Sequence, residues 1–471
     1  MVQNLTKKIQ SAKTLINLRK KIYFSVLKKV VPTKSDLLKE KKLFLEIEKK
    51  VLSIEGKHSH IEWCGSSARN THLKNDRDLD LFIMFDRVFT EEELEGEGLR
   101  VAAKVFGKNK YEKAYSQHPY LRGKIKGFDV ELVPSYKMNS GEKIKSAVDR
   151  TSLHNKFLTE KLSLSQKNEI RLLKQFLKGI NAYGADLKNC SLPGYGAELL
   201  IYYYGDFEKT IKAISNWKEK ETIIPFKTKS KLNLSIFKEP LILIDPVDEN
   251  RNVASALSKE NYDKMIYASK LFLANPTINF FFNKKQNMWP VSKIRGFLSK
   301  KELICVKAFF PKSIIEDLMW GQFRKFLKKI SHFVKENDFV IENSKIFGDG
   351  KEVYFLFQFE SLTIQSAKKL IGPKFDDLEN IKRFLLNKKV ISGPRIENDK
   401  IVIEIERKYT SLIELFKLFL KEKMIEEKDG VVKAFKKAKI LNEKEIIEEY
   451  SKNKEFGKFL INYLIGKESF E

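Results

Sequence analysis

Two aspartates two residues apart, Asp78 and Asp80, open an apolar run, DLDLFIMF. On a strand such spacing points both carboxylates to one face and leaves Leu79 and Leu81 for a core on the other. The preceding residues carry further polar chemistry: the stretch from Cys64 to Phe85 reads CGSSARNTHLKNDRDLDLFIMF. Gly65 lets backbone approach a ligand closely. The Ser66 hydroxyl and the N–H groups of a helix opening there can hold a phosphate, favoured by the helix dipole. Arg69 adds a charge-assisted donor. Two carboxylates beside such a turn can hold a pair of divalent cations on a triphosphate. Taken singly, a GS followed by an arginine is common, and a DxD is usually a solvated strand edge. Their spacing, with a strand directly after, favours the catalytic reading. The expected order is strand, turn, helix, loop, strand.

Further elements must position this group. Residues 33–56 read as a helix, with Leu37, Leu38, Leu43, Phe44, Ile47 and Val51 at helical spacing and Gly56 as a stop. Thr90 with the acids after it predicts a capped helix running to about Phe106. Residues 111–136 predict strands, with Tyr120, Arg122, Lys124 and Lys126 on one face. In FDVELVP, Asp129, Glu131 and Val133 share a face, so alternation leaves both acids open as a third metal ligand. Pro134 is expected to end that strand. His58 and His60 lack a nearby third ligand for a metal.

Next, NEIRLLKQFLKGINAYGAD predicts an amphipathic helix burying Ile170, Leu173, Phe176, Leu177 and Ile180. Two helices divided near Gly205 follow, with the YYY run between them read as core. After a lysine-rich linker at 227–231, LILIDPVDENRNVASAL predicts a strand, a turn and a helix. From about Asn275, LICVKAFF, a long basic helix, DFVIENSKIF, KEVYFLFQF, the helix IKRFLLNKKV and the strand IVIEIER give the order β-α-β-β-α-β. That order predicts a ferredoxin-like sandwich. Residues 409–471 read as a helical, lysine-rich tail. The first 24 residues read as a basic amphipathic helix lying on a domain surface.

The chain of 471 residues suggests about three domains, at 1–160, 161–275 and 276–471. Lys plus Arg number 89 against 62 Asp plus Glu, a formal charge of +27, which argues for a polyanionic partner, foremost nucleic acid. Cys64, Cys190 and Cys305 show no CxxC spacing, so neither zinc nor a disulfide framework is expected. No apolar run approaches the roughly 20 residues of a membrane span, and no signal-like segment is expected. A reducing, cytoplasmic setting fits.

The stretch from Gly65 to Asp80 resembles the GS-to-DxD signature of the DNA polymerase beta-like nucleotidyltransferases. ARNT narrows the likeness to the archaeal-type (class I) CCA-adding enzymes, and SAVDRTSLH, DPVDENRNVA and IGPKFDD resemble other stretches of that family. The resemblance implies an α+β multidomain chain: a polymerase beta-like catalytic domain, a helical central domain, and a ferredoxin-like RNA-binding domain with a helical tail. It implies addition and repair of the tRNA 3′-terminal CCA from CTP and ATP, without a template, using Mg2+. By the same resemblance Asp78, Asp80 and Glu131 hold metal. Ser66, Arg69, His154, Lys174 and Tyr183 bind the triphosphate, and Arg251 and Thr151 face the base. Glu131 stands where the family has an aspartate, counted back from Val133-Pro134. His118 matches an HPY motif without an assigned role. The C-terminal part would grip the acceptor stem and TΨC arm of tRNA, and the enzyme would be a homodimer. The rival readings are a poly(A) or uridylyl transferase and a non-catalytic RNA-binding protein.

Overall fold

The computed structural model describes residues 2–471 except 56–58, 87, 116–118, 138–146, 227–231, 284–286, 312–315, 422–433, 436 and 469. Gly56, His58, His118, Ser146 and the 227–231 linker therefore lie outside the described residues. The chain forms two compact units, 1–284 together with 468–471, and 285–467. Among the described residues no helix is long and apolar enough to cross a membrane.

The first unit begins with helices α1 (Val2–Val30) and α2 (Lys34–Glu55). A five-stranded sheet follows: β1 (Ser59–Cys64), β2 (Asp78–Phe85), β3 (Tyr111–Tyr115), β4 (Pro119–Ile125) and β5 (Phe128–Tyr136). Their order is β1-β2-β5-β4-β3, with only the β2–β5 pair parallel. Alternation holds as expected. Leu79, Leu81, Ile83 and Phe85 join Val130 and Leu132 in a core with Leu43, Ile47 and Val51 of α2. Helix α4 (Glu91–Phe106) covers the same face, and Thr90 and Glu93 close its capping box. Leu38 is 68% exposed, so it stands off the buried stripe. Pro134 does not end β5. Pairing with β4 reaches only Leu132, so the missing N–H of Pro134 lies beyond that ladder, and β5 continues beside β2 to Tyr136.

The helical part of this unit comprises α5 (Ala147–Lys161), α6 (Leu164–Gly179), α7 (Gly194–Tyr204), α8 (Phe207–Ile214) and α9 (Lys259–Ala274). Helix α6 buries four of the five expected residues, with Ile180 buried just past its end, and also Arg171, Leu172 and Lys174, so it is enclosed on nearly every side. Ile22, Val26 and Val30 of α1 pack into this core, as does Phe470 from the far end of the chain. Of the YYY run, Tyr203 is 49% exposed and does not belong to the core. The small sheet here is β6 (Glu221–Ile223), β7 (Leu241–Asp245) and β8 (Asp248–Asn252). Residues expected as a helix after Asp245-Pro246 instead turn back as β8. The Asn252 side chain explains the return: it accepts from the Leu243 N–H at 2.9 Å and donates to the Leu241 carbonyl at 2.9 Å.

The second unit is ferredoxin-like, but not through all the expected elements. It holds α10 (Val291–Leu298), β9 (Glu302–Phe309), α11 (Glu316–Glu336), β10 (Ile341–Gly348) and β11 (Glu352–Phe359). The expected second helix and fourth strand, α12 (Leu378–Leu385) and β14 (Lys400–Glu406), lie apart. With β12 (Ala367–Lys374) and β13 (Val390–Glu397) they form a separate three-stranded sheet, β12-β14-β13. The sandwich is completed by α13 (Leu412–Lys421) and β15 (Lys439–Leu441) in the order β10-β11-β9-β15. The physical reason is burial. Helix α13 buries Leu412, Leu415, Phe416 and Phe419, whereas α12 buries nothing. Helices α10, α14 (Glu443–Lys452) and α15 (Lys454–Ile465) supply a further core with Tyr354 and Leu356 of β11.

Candidate active site

The parallel register sets Asp78 opposite Asp129 and Asp80 opposite Glu131. Asp80 is raised to about 6, first by burial and then by Asp78. Glu131 is raised to about 7, first by burial and then by Asp80. Asp78 is raised too, by burial and then by Asp76 and Asp129. Among the described residues no ion pair engages these three carboxylates, whereas Asp129 is bound to Lys124 at 2.8 Å. Gly65 closes the group from below. Its φ is +74°, and a Cβ there would lie 1.9 Å from Asp80 Oδ2. The glycine is required twice over, for the left-handed backbone and for room.

The helix expected after Gly65 is one turn only, α3 (Gly65–Ala68). Its dipole is correspondingly small, so any anion there depends on the Ser66 hydroxyl and nearby side chains. The loop after α3 is clamped from several sides. Arg69 donates through Nη2 to Glu198 Oε2 at 2.7 Å and through Nη1 to Asn155 Oδ1 at 3.0 Å. Lys174 donates to Glu198 Oε1 at 2.8 Å, and the Thr71 hydroxyl bonds the same oxygen. Arg171 holds the carbonyls of Asn70 and His72, and His72 Nε2 meets Glu40 Oε1 at 3.2 Å. Arg69 and Lys174 are thus buried behind the site as partners of one carboxylate. Their two charges against one leave a net positive charge, and both favour the ionised form of Asp80. Tyr183 stands nearby: its hydroxyl is raised by burial first, then by Asp76, Glu198 and Asp78.

A second group forms around Asp245, which is fully buried. Its Oδ2 accepts from His154 Nε2 at 2.7 Å and from Arg251 Nη1 at 2.7 Å. Its Oδ1 accepts from the Val247 N–H at 3.1 Å and the Tyr195 hydroxyl at 3.4 Å. The Tyr195 ring stacks on His154 with centroids 4.0 Å apart. His154 is lowered, by burial first, only partly offset by Asp245 and lowered again by Arg251 and Arg69. Thr151 lies one turn earlier on α5. Of the expected residues, the structure therefore gathers Arg69 and Lys174 on Glu198 and His154 and Arg251 on Asp245, beside the carboxylates of β2 and β5.

Comparison with known proteins places this geometry. A CCA-adding enzyme of Methanocaldococcus jannaschii is 37% identical over 406 residues, spanning 83% of this chain and 88% of that protein. The chain belongs to the CCA-adding enzyme family. A CCA-adding enzyme of Methanococcus maripaludis is 40% identical over 66% of this chain and 71% of its own length. One of Saccharolobus islandicus is 34% identical over 74% and 81%. Three family models match: "Nucleotidyltransferase domain" at 40–154, "tRNA nucleotidyltransferase, second domain" at 168–282, and "CCA-adding enzyme, C-terminal domain" at 301–460. The protein is accordingly a tRNA nucleotidyltransferase of archaeal type.

Nucleotidyltransferases of this kind work with divalent metal ions. In this CCA-adding enzyme no three His, Cys, Asp or Glu side chains among the described residues stand ready-grouped around one point. The fit lies in the donor chemistry: Asp78, Asp80 and Glu131 offer hard oxygens, pair with no cation among the described residues, and are each disfavoured as anions by burial and by neighbouring carboxylates. Sequence reasoning missed Glu198, Asp245, Tyr195 and Asn155. A glutamate in GYGAELLIYYY is the one signal that could have found Glu198, since a lone acid in an apolar helix needs a buried cation.

Proposed function

We propose that this enzyme adds C, C and A in turn to the 3′ end of tRNA from CTP and ATP, releasing pyrophosphate at each step, and that it uses Mg2+. The observation that carries the reading is the parallel register that brings Glu131 opposite Asp80, two residues from Asp78 and floored by Gly65, in a chain of this family. Bound to these carboxylates, Mg2+ would neutralise the triphosphate and lower the pKa of the attacking 3′-hydroxyl. The chain's own residues orient the substrates. Ser66, His154 and Tyr183 line the triphosphate, and Arg69 and Lys174 add their net charge from behind through Glu198. Arg251 and Thr151 face the base, the arginine with a planar fork of donors.

The second unit would hold the acceptor stem and TΨC arm. The outer face of α11 exposes Lys325, Lys328 and Lys335, and such a surface reads phosphates and A-form shape without sequence. The working enzyme is a homodimer in this proposal, which light scattering checks. The deciding experiment incubates tRNA ending before C74 with CTP alone, ATP alone and both, and sequences the products. Arrest after CCA supports the proposal, and a long homopolymer tail overturns it.

A further inference from the structure

We infer that Asp245 is a positioning residue that couples base choice to triphosphate placement. The inference rests on the proposed roles of His154 and Arg251. These two residues come from different elements, α5 and β8, yet both donate to one oxygen of one carboxylate, Oδ2 of Asp245. An ionised carboxylate only accepts, so the Nε2 position of His154 carries the proton of that bond. Asp245 is fully buried while the Arg251 side chain is 36% exposed, so the acceptor is fixed and the guanidinium reaches outward from it. The carboxylate itself cannot swing freely, because the Val247 N–H and the Tyr195 hydroxyl hold Oδ1. Tyr195 also stacks on the imidazole it helps to place.

The surroundings reinforce this arrangement. Arg150, one turn before His154, pairs with Asp248 of the same hairpin at 3.1 Å, a second tie between α5 and β8. Burial would raise Asp245, but His154, Arg251 and the Val247 N–H outweigh it and keep it anionic. The phosphate contact and the base contact are therefore held at a set separation. A nucleotide that pulls the guanidinium out of line loosens the imidazole as well, because each leaves the other with a changed acceptor.

The test is a double-mutant cycle on the full-length enzyme. Single-nucleotide addition to tRNA ending before C74 is measured with CTP and with UTP for the native enzyme, His154→Ala, Arg251→Lys and the double variant. The ratio of kcat/KM for CTP over UTP is expected to be non-additive by about threefold or more, as for residues sharing one network. The cycle is repeated with Asp245→Asn, where the non-additivity should vanish and the ratio should itself fall about tenfold, since the amide is uncharged and, if its oxygen faces His154 and Arg251, its NH2 group meets the Val247 N–H donor in place of an acceptor. Additivity in the native background overturns the coupling and does not depend on whether the asparagine variant folds. Equal loss for CTP and UTP in Asp245→Asn, with KM unchanged, also overturns it by reducing Asp245 to a structural acid. If neither single variant alters CTP use, the assignment of His154 and Arg251 falls, and the coupling with it.

Discussion

Glu131 stands opposite Asp80 where β5 runs parallel to β2. Asp129 is about 7 Å away along the strand and is engaged at the surface by Lys124. Glu131→Gln is therefore expected to lower nucleotide incorporation by more than about a hundredfold, beyond what loss of an outer ligand partner costs. Nucleotide binding should survive. Asp129→Asn should stay within about threefold, as exposed ion pairs are worth little. Rapid-quench incorporation alongside equilibrium CTP binding checks both, and the reverse ranking would mean that the metal-facing register is shifted by two residues.

Gly65→Ala drives a methyl group into Asp80 Oδ2 and places alanine at φ +74°. The backbone penalty is about 1–2 kcal/mol. The displaced carboxylate should cost far more in kcat than in stability. Urea unfolding and steady-state kinetics measure the two separately. A variant with native kcat would show that Asp80 can rotate aside without harm.

Glu198 carries a sign-definite pH dependence. Burial pushes it up, but Arg69 and Lys174 outweigh burial and bring it from 4.5 down to about 2. A lowered folded pKa contributes stability above the unfolded value of 4.5, lost as pH falls toward 2. Glu198→Gln leaves two buried cations without their partner and is expected to cost about 3–5 kcal/mol near pH 7. The variant should also lose less stability than the native enzyme between pH 4.5 and 2. Denaturant midpoints over that range are the measurement, and parallel curves for the two proteins count against the buried ion-pair account.

Phe470 is 2% exposed and stacks on Phe280 with centroids 5.2 Å apart. Phe470→Ala should therefore cost about 3 kcal/mol. Its tRNA affinity at low denaturant should remain native. An affinity loss without a stability loss would return the last residues to an RNA-gripping role.

The charge of +27 predicts that tRNA binding weakens steeply with salt. Each neutralised phosphate contributes a slope of roughly −0.7 to −0.9 in log K against log salt, so a slope steeper than about −4 is expected. Filter binding from low to moderate salt reads it directly, and a flat response would remove the polyanion argument.

Local pattern alone determined the central strands β2 and β5 and the chemistry they display. Alternation in DLDLFIMF and FDVELVP set which side chains faced the core, and Gly65, Asp78 and Asp80 were legible from residue type and spacing. The Thr90 cap was equally plain, because a capping box closes within a few residues. Alternation left Asp129 and Glu131 equivalent; only the register of β5 on β2 shows which aspartate each one faces, Asp129 opposite Asp78 and Glu131 opposite Asp80. Likewise, α12 and α13 are both amphipathic, but periodicity reports that a face is apolar, not that anything covers it. Only the tertiary structure shows α13 buried, α12 open, and the ferredoxin-like sheet completed by β15. Glu198 and Asp245 were hidden for the same reason: a buried carboxylate is defined by its partners. Those of Glu198 lie as far off as Arg69, and those of Asp245 as far off as His154. Sequence determines what each segment can offer; burial and pairing across that separation are decided only when the folded chain brings the segments together.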